Sequence, residues 1–197
     1  MRQIWISKTG APEVLIVKEA PDPQPSAGEM RIRVEASGVN FADVMGRLGL
    51  YPDLPPIPVA PGYEVGGRVD AVGDGVDISW VGRDVFAMTR FGGYADVVCV
   101  PKAQVFPRPE GMSAQEGAAI PVNYLTAWQL LVVMGGLKPG ETVLMALSRC
   151  RAGSAKCQRL RNCQAAATAV RHVVIATARS ARCVWAETRW RWTLKVL

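Results

Sequence analysis

Few side chains in this sequence could hold a metal ion. His172 is the only histidine, and four of the 5 cysteines lie after residue 145 without forming a C-x-x-C pair. Structural and catalytic zinc sites need closely grouped thiolate and imidazole ligands. The sequence therefore predicts no metal site. Cys99 stands alone in the first 145 residues, which excludes a disulfide framework there and is typical of a reducing compartment.

Patterns for phosphate binding and acid–base chemistry are also sparse. The "GDG" at 73–75 is a lone G-x-G between two strand patterns, which predicts a hairpin turn. Asp43 and Glu64 lack the spacing of an acid–base pair, and we interpret them as structural polar groups near a cleft.

One buried-strand pattern lacks its usual continuation. A Pro-Gly turn at 139–140 precedes the apolar run Val143, Leu144, Met145. In many α/β proteins such a strand opens onto a glycine-rich turn and a helix that receives a phosphate. Here the chain continues as "ALSRCRAGSAKC", with a single glycine.

The elements before this strand are mainly β. Short strand patterns occupy 4–6, 14–20, 30–39, 65–73, 84–88 and 94–100, separated by Pro/Gly turns, and their spacing favours a barrel or sandwich. Residues 39–64 begin as one or two helical turns and continue as a proline-rich loop. Loops of this length often build a site.

Helices are predicted after residue 100. Ser113 and Glu116 have capping-box spacing, and a helix follows from Val122 to about Met134. The uncharged stretch 118–137 has a helical part too short for a hydrocarbon layer of ~30 Å, so we expect a buried helix, with Trp128 in the core, and no membrane span. The N-terminus has no apolar signal region, and we predict a cytoplasmic protein.

The net charge of +6 is distributed unevenly. Residues 1–145 hold 12 basic and 16 acidic side chains, a net −4, whereas 146–197 hold 11 basic and 1 acidic, a net +10. A basic tail can indicate a nucleic-acid-binding arm. Because cysteine and tryptophan enrichment is untypical of such arms, we predict no nucleic-acid partner and keep this function as the last alternative.

Several segments in order carry a family resemblance. They are "SGVNFADVMGRLGLYP", "PVAPGYEVGGRVDAVGDGV", "VGRDVFAM", "GGYADVVCVP" and "AAIPVNYLTAW", followed by "LKPGETVLM". Over residues 1–145 the sequence resembles the medium-chain dehydrogenase/reductase superfamily, and within it the zeta-crystallin-like quinone oxidoreductases. The resemblance implies a GroES-like β-barrel domain over 1–121 and the start of a Rossmann domain over 122–145. The implied fold is mainly β plus a partial, incomplete α/β domain.

The resemblance also implies a zinc-free reductase. The zinc-dependent members need a thiolate where this chain has Asn40 and an imidazole where it has Tyr63, and neither side chain present is a usual zinc ligand. The implied reaction is hydride transfer from NADPH to a small-molecule quinone or activated alkene. Intact members are expected to be homodimers.

The resemblance assigns roles to four side chains before residue 145. Asn40 and Tyr51 would face the nicotinamide or substrate, and Asn123 and Thr126 would contact the nicotinamide and its phosphates. Amides and hydroxyls suit these roles because they hydrogen-bond a substrate oxygen without titrating. The residues alone leave alternatives open: Asn40 as a turn residue, and Tyr51 as a loop aromatic packed on prolines.

The tail, residues 146–197, departs from the family pattern. The expected glycine-rich cofactor turn is missing, and we hypothesise a reading-frame shift at about residue 146. The segment 172–182 is similar to a second Rossmann strand, which would make Arg179 and Arg182 candidates for the NADPH 2′-phosphate; a chance strand is the alternative. We therefore expect impaired NADPH binding and leave whether the chain is an enzyme open. A free-standing GroES-like binding module without catalysis is the alternative function.

Overall fold

A computed structural model describes residues 1–138, 143–145 and 172–174 of the chain. The chain divides into two compact units, Met1–Met134 and Gly135–Leu197, and each is described by itself. We call the first unit the β domain.

The β domain is built on a five-stranded antiparallel sheet. Its strand order is β6-β3-β4-β5-β7. These strands are β3 Glu29–Ser37, β4 Glu64–Val72, β5 Asp84–Met88, β6 Val97–Pro101 and β7 Val105–Pro107. A two-stranded ribbon, β1 Arg2–Ile6 paired with β2 Leu15–Glu19, joins the rest through isolated bridges. The six predicted strands are confirmed, and β7 is an additional one.

Alternation along β3 explains how the sheet divides core from surface. Met30 and Ile32 are fully buried in the main apolar cluster, and Val34 packs against it. Arg31 and Arg33 point the other way and pair with Asp70 at 2.8 and 2.9 Å. A period of two therefore places the apolar side chains inside and the charges outside, as the sequence predicts.

Three helices follow the connections that the sequence suggests. Helix α1, Phe41–Arg47, opens the long connection between β3 and β4. Helix α2, Ala114–Ala118, begins with the predicted capping box: Ser113 N donates to Glu116 Oε2 at 3.0 Å, and Glu116 N donates to Ser113 Oγ at 3.2 Å. Helix α3, Pro121–Trp128, continues as a π-helical segment, Gln129–Met134.

The expectation that helix 122–134 is buried is wrong for the described residues. Tyr124, Val133 and Met134 are 61%, 59% and 71% exposed, and Trp128 is 40% exposed rather than in the core. Pro121 alone is buried in α3, because the described part of the β domain covers the helix only at its beginning. By length and composition alone, Ala114–Met134 could cross a membrane, with a mean hydropathy of 1.3. The turn at 119–120 interrupts this stretch.

The second unit contributes two short described strands, β8 Val143–Met145 and β9 His172–Val174. They pair in parallel, with Val143 opposite His172 and Met145 opposite Val174. Parallel pairing is what the first strands of a Rossmann sheet require, and the Rossmann start itself stays a prediction. The turn at 139–140 and the positions after residue 145 where the glycine-rich turn is expected lie outside the described residues.

Candidate active site

The site begins with a carboxylate that ties together the two ends of the long β3–β4 connection. Asp43, in the first turn of α1, accepts a hydrogen bond from Asn40 N at 2.8 Å and another from Gly62 N at 3.1 Å. Asn40 and Gly62 lie 22 positions apart in the sequence, close to β3 and β4 respectively. Burial raises the pKa of Asp43, although its hydrogen bonds oppose that rise. Both ends of the connection are thereby fixed against the sheet.

A second buried carboxylate joins Asn40 to helix α3. Glu64, the first residue of β4, is 1% exposed. Its Oε1 accepts from Asn40 Nδ2 at 2.9 Å, and its Oε2 accepts from Val122 N at 2.8 Å. Helix α3 has no side-chain cap of its own at Ile120. The Glu64 carboxylate therefore caps this helix from the sheet and fixes the Asn40 amide.

The chain leaves space for this carboxylate at Gly38. A Cβ at position 38 would lie 2.2 Å from Glu64 Oε1 and 2.5 Å from Glu64 Cγ. Burial raises the pKa of Glu64, while the hydrogen bonds from Val122 and Asn40 lower it. The strand end thus tolerates a buried carboxylate because a glycine lies beside it and two donors face it.

Three aromatic side chains form the other part of the site. Tyr63 makes an edge-on contact with Tyr51, with ring centroids 6.1 Å apart, and a tilted contact with Phe91 at 5.3 Å. Tyr51 lies in the connection whose ends Asp43 holds. Tyr63 immediately precedes Glu64, so backbone continuity links the aromatic cluster to the Asn40–Glu64 pair.

The predicted cofactor residues on α3 are less buried than Asn40. Asn123 is half-buried, and its Nδ2 donates to Ala119 O at 3.0 Å within the helix region. Thr126 is exposed on α3. Arg179 and Arg182 lie outside the described residues. The structure connects Asn40 with the start of α3, places Tyr51 beside Tyr63, and leaves the proposed roles of all six side chains as predictions.

The described residues offer more polar groups suited to the nicotinamide end of NADPH than to its diphosphate. Asn40 and Tyr51 offer polar groups suited to a nicotinamide or substrate. Val122 N, at the start of α3, already donates to Glu64, and the sequence has no lysine or arginine between Arg108 and Lys138. A diphosphate needs free backbone N–H groups or cations, and neither the Val122 N–H nor a nearby cation in sequence is available for it at this helix start.

Among residues 1–138 and the two short described strands, no group of three or more His, Cys, Asp and Glu side chains could hold a metal ion. At the two positions where zinc-dependent relatives would carry ligands, Asn40 hydrogen-bonds Glu64 and Tyr63 packs against aromatic rings. These contacts do not test whether the site works without zinc, so the zinc-free site stays a prediction.

The sequence did not reveal the hydrogen bonds of Glu64 or the ring contacts of Tyr63. Both precede or begin a buried strand, and neither forms part of a motif of local spacing. A tyrosine and a glutamate directly before the apolar-glycine run "VGG" were the available signal, because polar residues at a buried strand end need partners.

The sequence profile of the alcohol dehydrogenase GroES-like domain matches residues 26–110. The chain is 45% identical over 141 residues to the synaptic vesicle membrane protein VAT-1 homolog of Rattus norvegicus, covering 72% of this chain and 35% of that protein. It is 38% identical over 165 residues to the quinone oxidoreductase of Lama guanicoe, covering 83% and 50% respectively.

A solved structure gives the same result. The Escherichia coli quinone oxidoreductase complexed with NADPH superposes with a TM-score of 0.67 at 32% identity, covering 74% of this chain and 44% of that one. The chain spans about a third to a half of the length of these relatives. It therefore belongs to the medium-chain dehydrogenase/reductase superfamily, in the family of the VAT-1 homologs and zeta-crystallin-like quinone oxidoreductases, of which it spans the GroES-like part.

Proposed function

We propose that the β domain is the substrate-binding half of an NADPH-dependent reductase of quinones or activated alkenes. The observation that carries this proposal is the buried bridge from Asn40 through Glu64 to Val122 N, which holds an amide at the start of α3. An amide held in this way can hydrogen-bond a substrate oxygen without changing charge. The similarity to a quinone oxidoreductase solved with NADPH supports both the substrate and the reductant.

We further propose that this chain binds NADPH weakly or not at all. Its sequence lacks the glycine-rich turn after Met145, and Val122 N at the start of α3 is already hydrogen-bonded to Glu64. A glycine-rich turn lets the backbone approach the pyrophosphate. Fluorescence titration of the full chain tests this proposal directly: a dissociation constant in the micromolar range would contradict it. Resequencing the gene tests the reading-frame shift; an open frame without a glycine-rich alternative would refute that hypothesis.

A chimera tests the reductase proposal separately from the proposed weak binding of NADPH by the full chain. Residues 1–145 are joined to the remaining part of the E. coli quinone oxidoreductase, and oxidation of NADPH by a quinone is followed by absorbance. We expect turnover that falls at least tenfold in Asn40→Ala, an effect typical of a lost hydrogen-bond donor at a reacting oxygen. Gln104→Ala, which removes an amide from an exposed side chain, serves as the control. A folded chimera that binds NADPH and reduces neither a quinone nor an activated alkene would rule out the reductase proposal.

The second candidate is a free-standing binding module. The β domain forms a compact unit with its own apolar core, which favours this alternative. Residues 1–121 that remain folded and monodisperse while the full chain binds no cofactor would support it. Homodimerisation and a cytoplasmic location remain part of the reductase proposal.

A further inference from the structure

The Tyr63 hydroxyl is a buried polar group without a hydrogen-bond partner among the described residues. Leaving such a group unpaired destabilises the folded state. Buried hydroxyls are usually paired, and an exception often lies at a functional site. Tyr63 and Tyr94 carry the two such hydroxyls in the described part of the chain, and Tyr63 is the one whose ring lies against Tyr51.

The neighbour best placed to complete it is Tyr51. The two rings meet edge to face, with centroids 6.1 Å apart and planes at 76°. Burial, followed by the nearby Tyr51 hydroxyl, raises the pKa of Tyr63 well above the ordinary value of 10.0. Tyr63 consequently stays protonated across the physiological pH range and has a proton to donate.

We propose that Tyr63 is a positioning residue for Tyr51: its hydroxyl donates to Tyr51 Oη when the Tyr51 hydroxyl donates to a carbonyl oxygen of a bound quinone. This inference rests on the proposed reductase function. A hydroxyl can accept one hydrogen bond while it donates another. Hydrogen bonds in such chains strengthen one another, and bonds that are long without ligand commonly tighten when it binds.

The proposal predicts which ligands benefit from Tyr63. A planar aromatic ring alone gains only packing against Tyr51, whereas a neutral carbonyl oxygen on that ring completes the chain of hydrogen bonds. Tyr63 should thus favour a quinone over the matching hydrocarbon. We choose 2,3-dimethyl-1,4-naphthoquinone, because both reactive ring carbons are blocked against thiols, and 2,3-dimethylnaphthalene as the hydrocarbon.

The experiment measures binding of both compounds to the full chain by calorimetry. We expect Tyr63→Phe to weaken binding of the quinone about 3- to 10-fold, the loss typical of one hydrogen bond, and to leave binding of the hydrocarbon unchanged. In a Tyr51→Phe background, Tyr63→Phe should have no further effect. Tyr124→Phe, the same change at a 61% exposed position, is the matched control.

Each other outcome overturns the inference in a recognisable way. Equal quinone binding by wild type and Tyr63→Phe overturns the role of Tyr63 and leaves the reductase proposal standing. Equal losses for both compounds, or additive losses with Tyr51→Phe, reduce Tyr63 to a structural residue. A wild-type chain that does not prefer the quinone to the hydrocarbon overturns both proposals.

If Tyr63→Phe does not fold, wild-type protein labelled with 13C at tyrosine Cζ decides the question. The Tyr63 signal, assigned by elimination with Phe variants of the other three tyrosines, should shift with the quinone and not with the hydrocarbon. An unshifted signal overturns the inference.

Discussion

Replacing Glu64 by glutamine keeps the size of the side chain but removes one of its two acceptor oxygens. In the wild type, Oε1 accepts from Asn40 Nδ2 at 2.9 Å and Oε2 accepts from Val122 N at 2.8 Å. A carboxamide can accept only one of these bonds and must point its NH2 group at the other donor. Because Glu64 is 1% exposed, water cannot satisfy the donor left over.

The cost follows from the two contacts. An unsatisfied buried donor costs about 1–3 kcal/mol, and the surviving bond changes from charged to neutral, which removes about 1 kcal/mol more. We therefore expect Glu64→Gln to lower the free energy of unfolding by about 2–4 kcal/mol.

Urea unfolding of the full chain at neutral pH, followed by far-ultraviolet circular dichroism, measures this difference as a shift of the midpoint. Glu110→Gln makes the same chemical change on an exposed side chain and should stay within about 0.5 kcal/mol of wild type. An Asn40→Ala variant completes a double-mutant cycle and isolates the share of Asn40. If Glu64→Gln and Glu110→Gln unfold at the same urea concentration, the bridging role of Glu64 is refuted.

Two further predictions concern packing and pH. Gly38→Ala places a Cβ 2.2 Å from Glu64 Oε1 and should cost about 1–3 kcal/mol of unfolding free energy in the same urea assay. Gly117→Ala, whose Cβ would lie 3.3 Å from Phe86 Cβ, should cost less. Equal losses in the two variants would contradict the clash at Gly38. Hydrogen bonds from Arg108 and Arg68 lower the pKa of Asp84 in the folded protein below its ordinary 3.8. The contribution of Asp84 to stability is therefore fully present above pH 3.8 and is lost as the pH falls through the lowered pKa of the folded state. Asp84→Asn should thus destabilise at neutral pH and progressively less in acid, and a difference that does not shrink below pH 3.8 would contradict this sign.

Local patterns in the sequence predicted the strands and caps correctly because their causes are local. Alternation from Met30 to Ile32 needs only the period of a strand, and the Ser113–Glu116 capping box spans three positions. The contact between Glu64 and Val122 joins residues 58 positions apart, so no spacing rule could predict it.

The sequence misled about helix α3 for a related reason. An uncharged apolar run indicates that burying the helix would be favourable. It does not indicate which other elements pack against the helix. Tyr124 and Met134 are exposed in the described chain although their composition predicted a core helix. The ring contact between Tyr51 and Tyr63 could not be predicted either, because a loop aromatic and a strand-end aromatic meet only after the connection folds back.

The two hydrogen bonds of Asp43 have an evolutionary consequence. They close the β3–β4 connection at Asn40 and Gly62, next to the sheet, so β3 and β4 do not depend on the sequence between them, although Val59 in that sequence still bridges Ile6 of β1. Extending an already closed loop adds little entropy cost, about 0.6 kcal/mol for a doubling of its length. The segment that carries Tyr51 can therefore change in length and in side chains while β3 and β4 keep their places in the sheet.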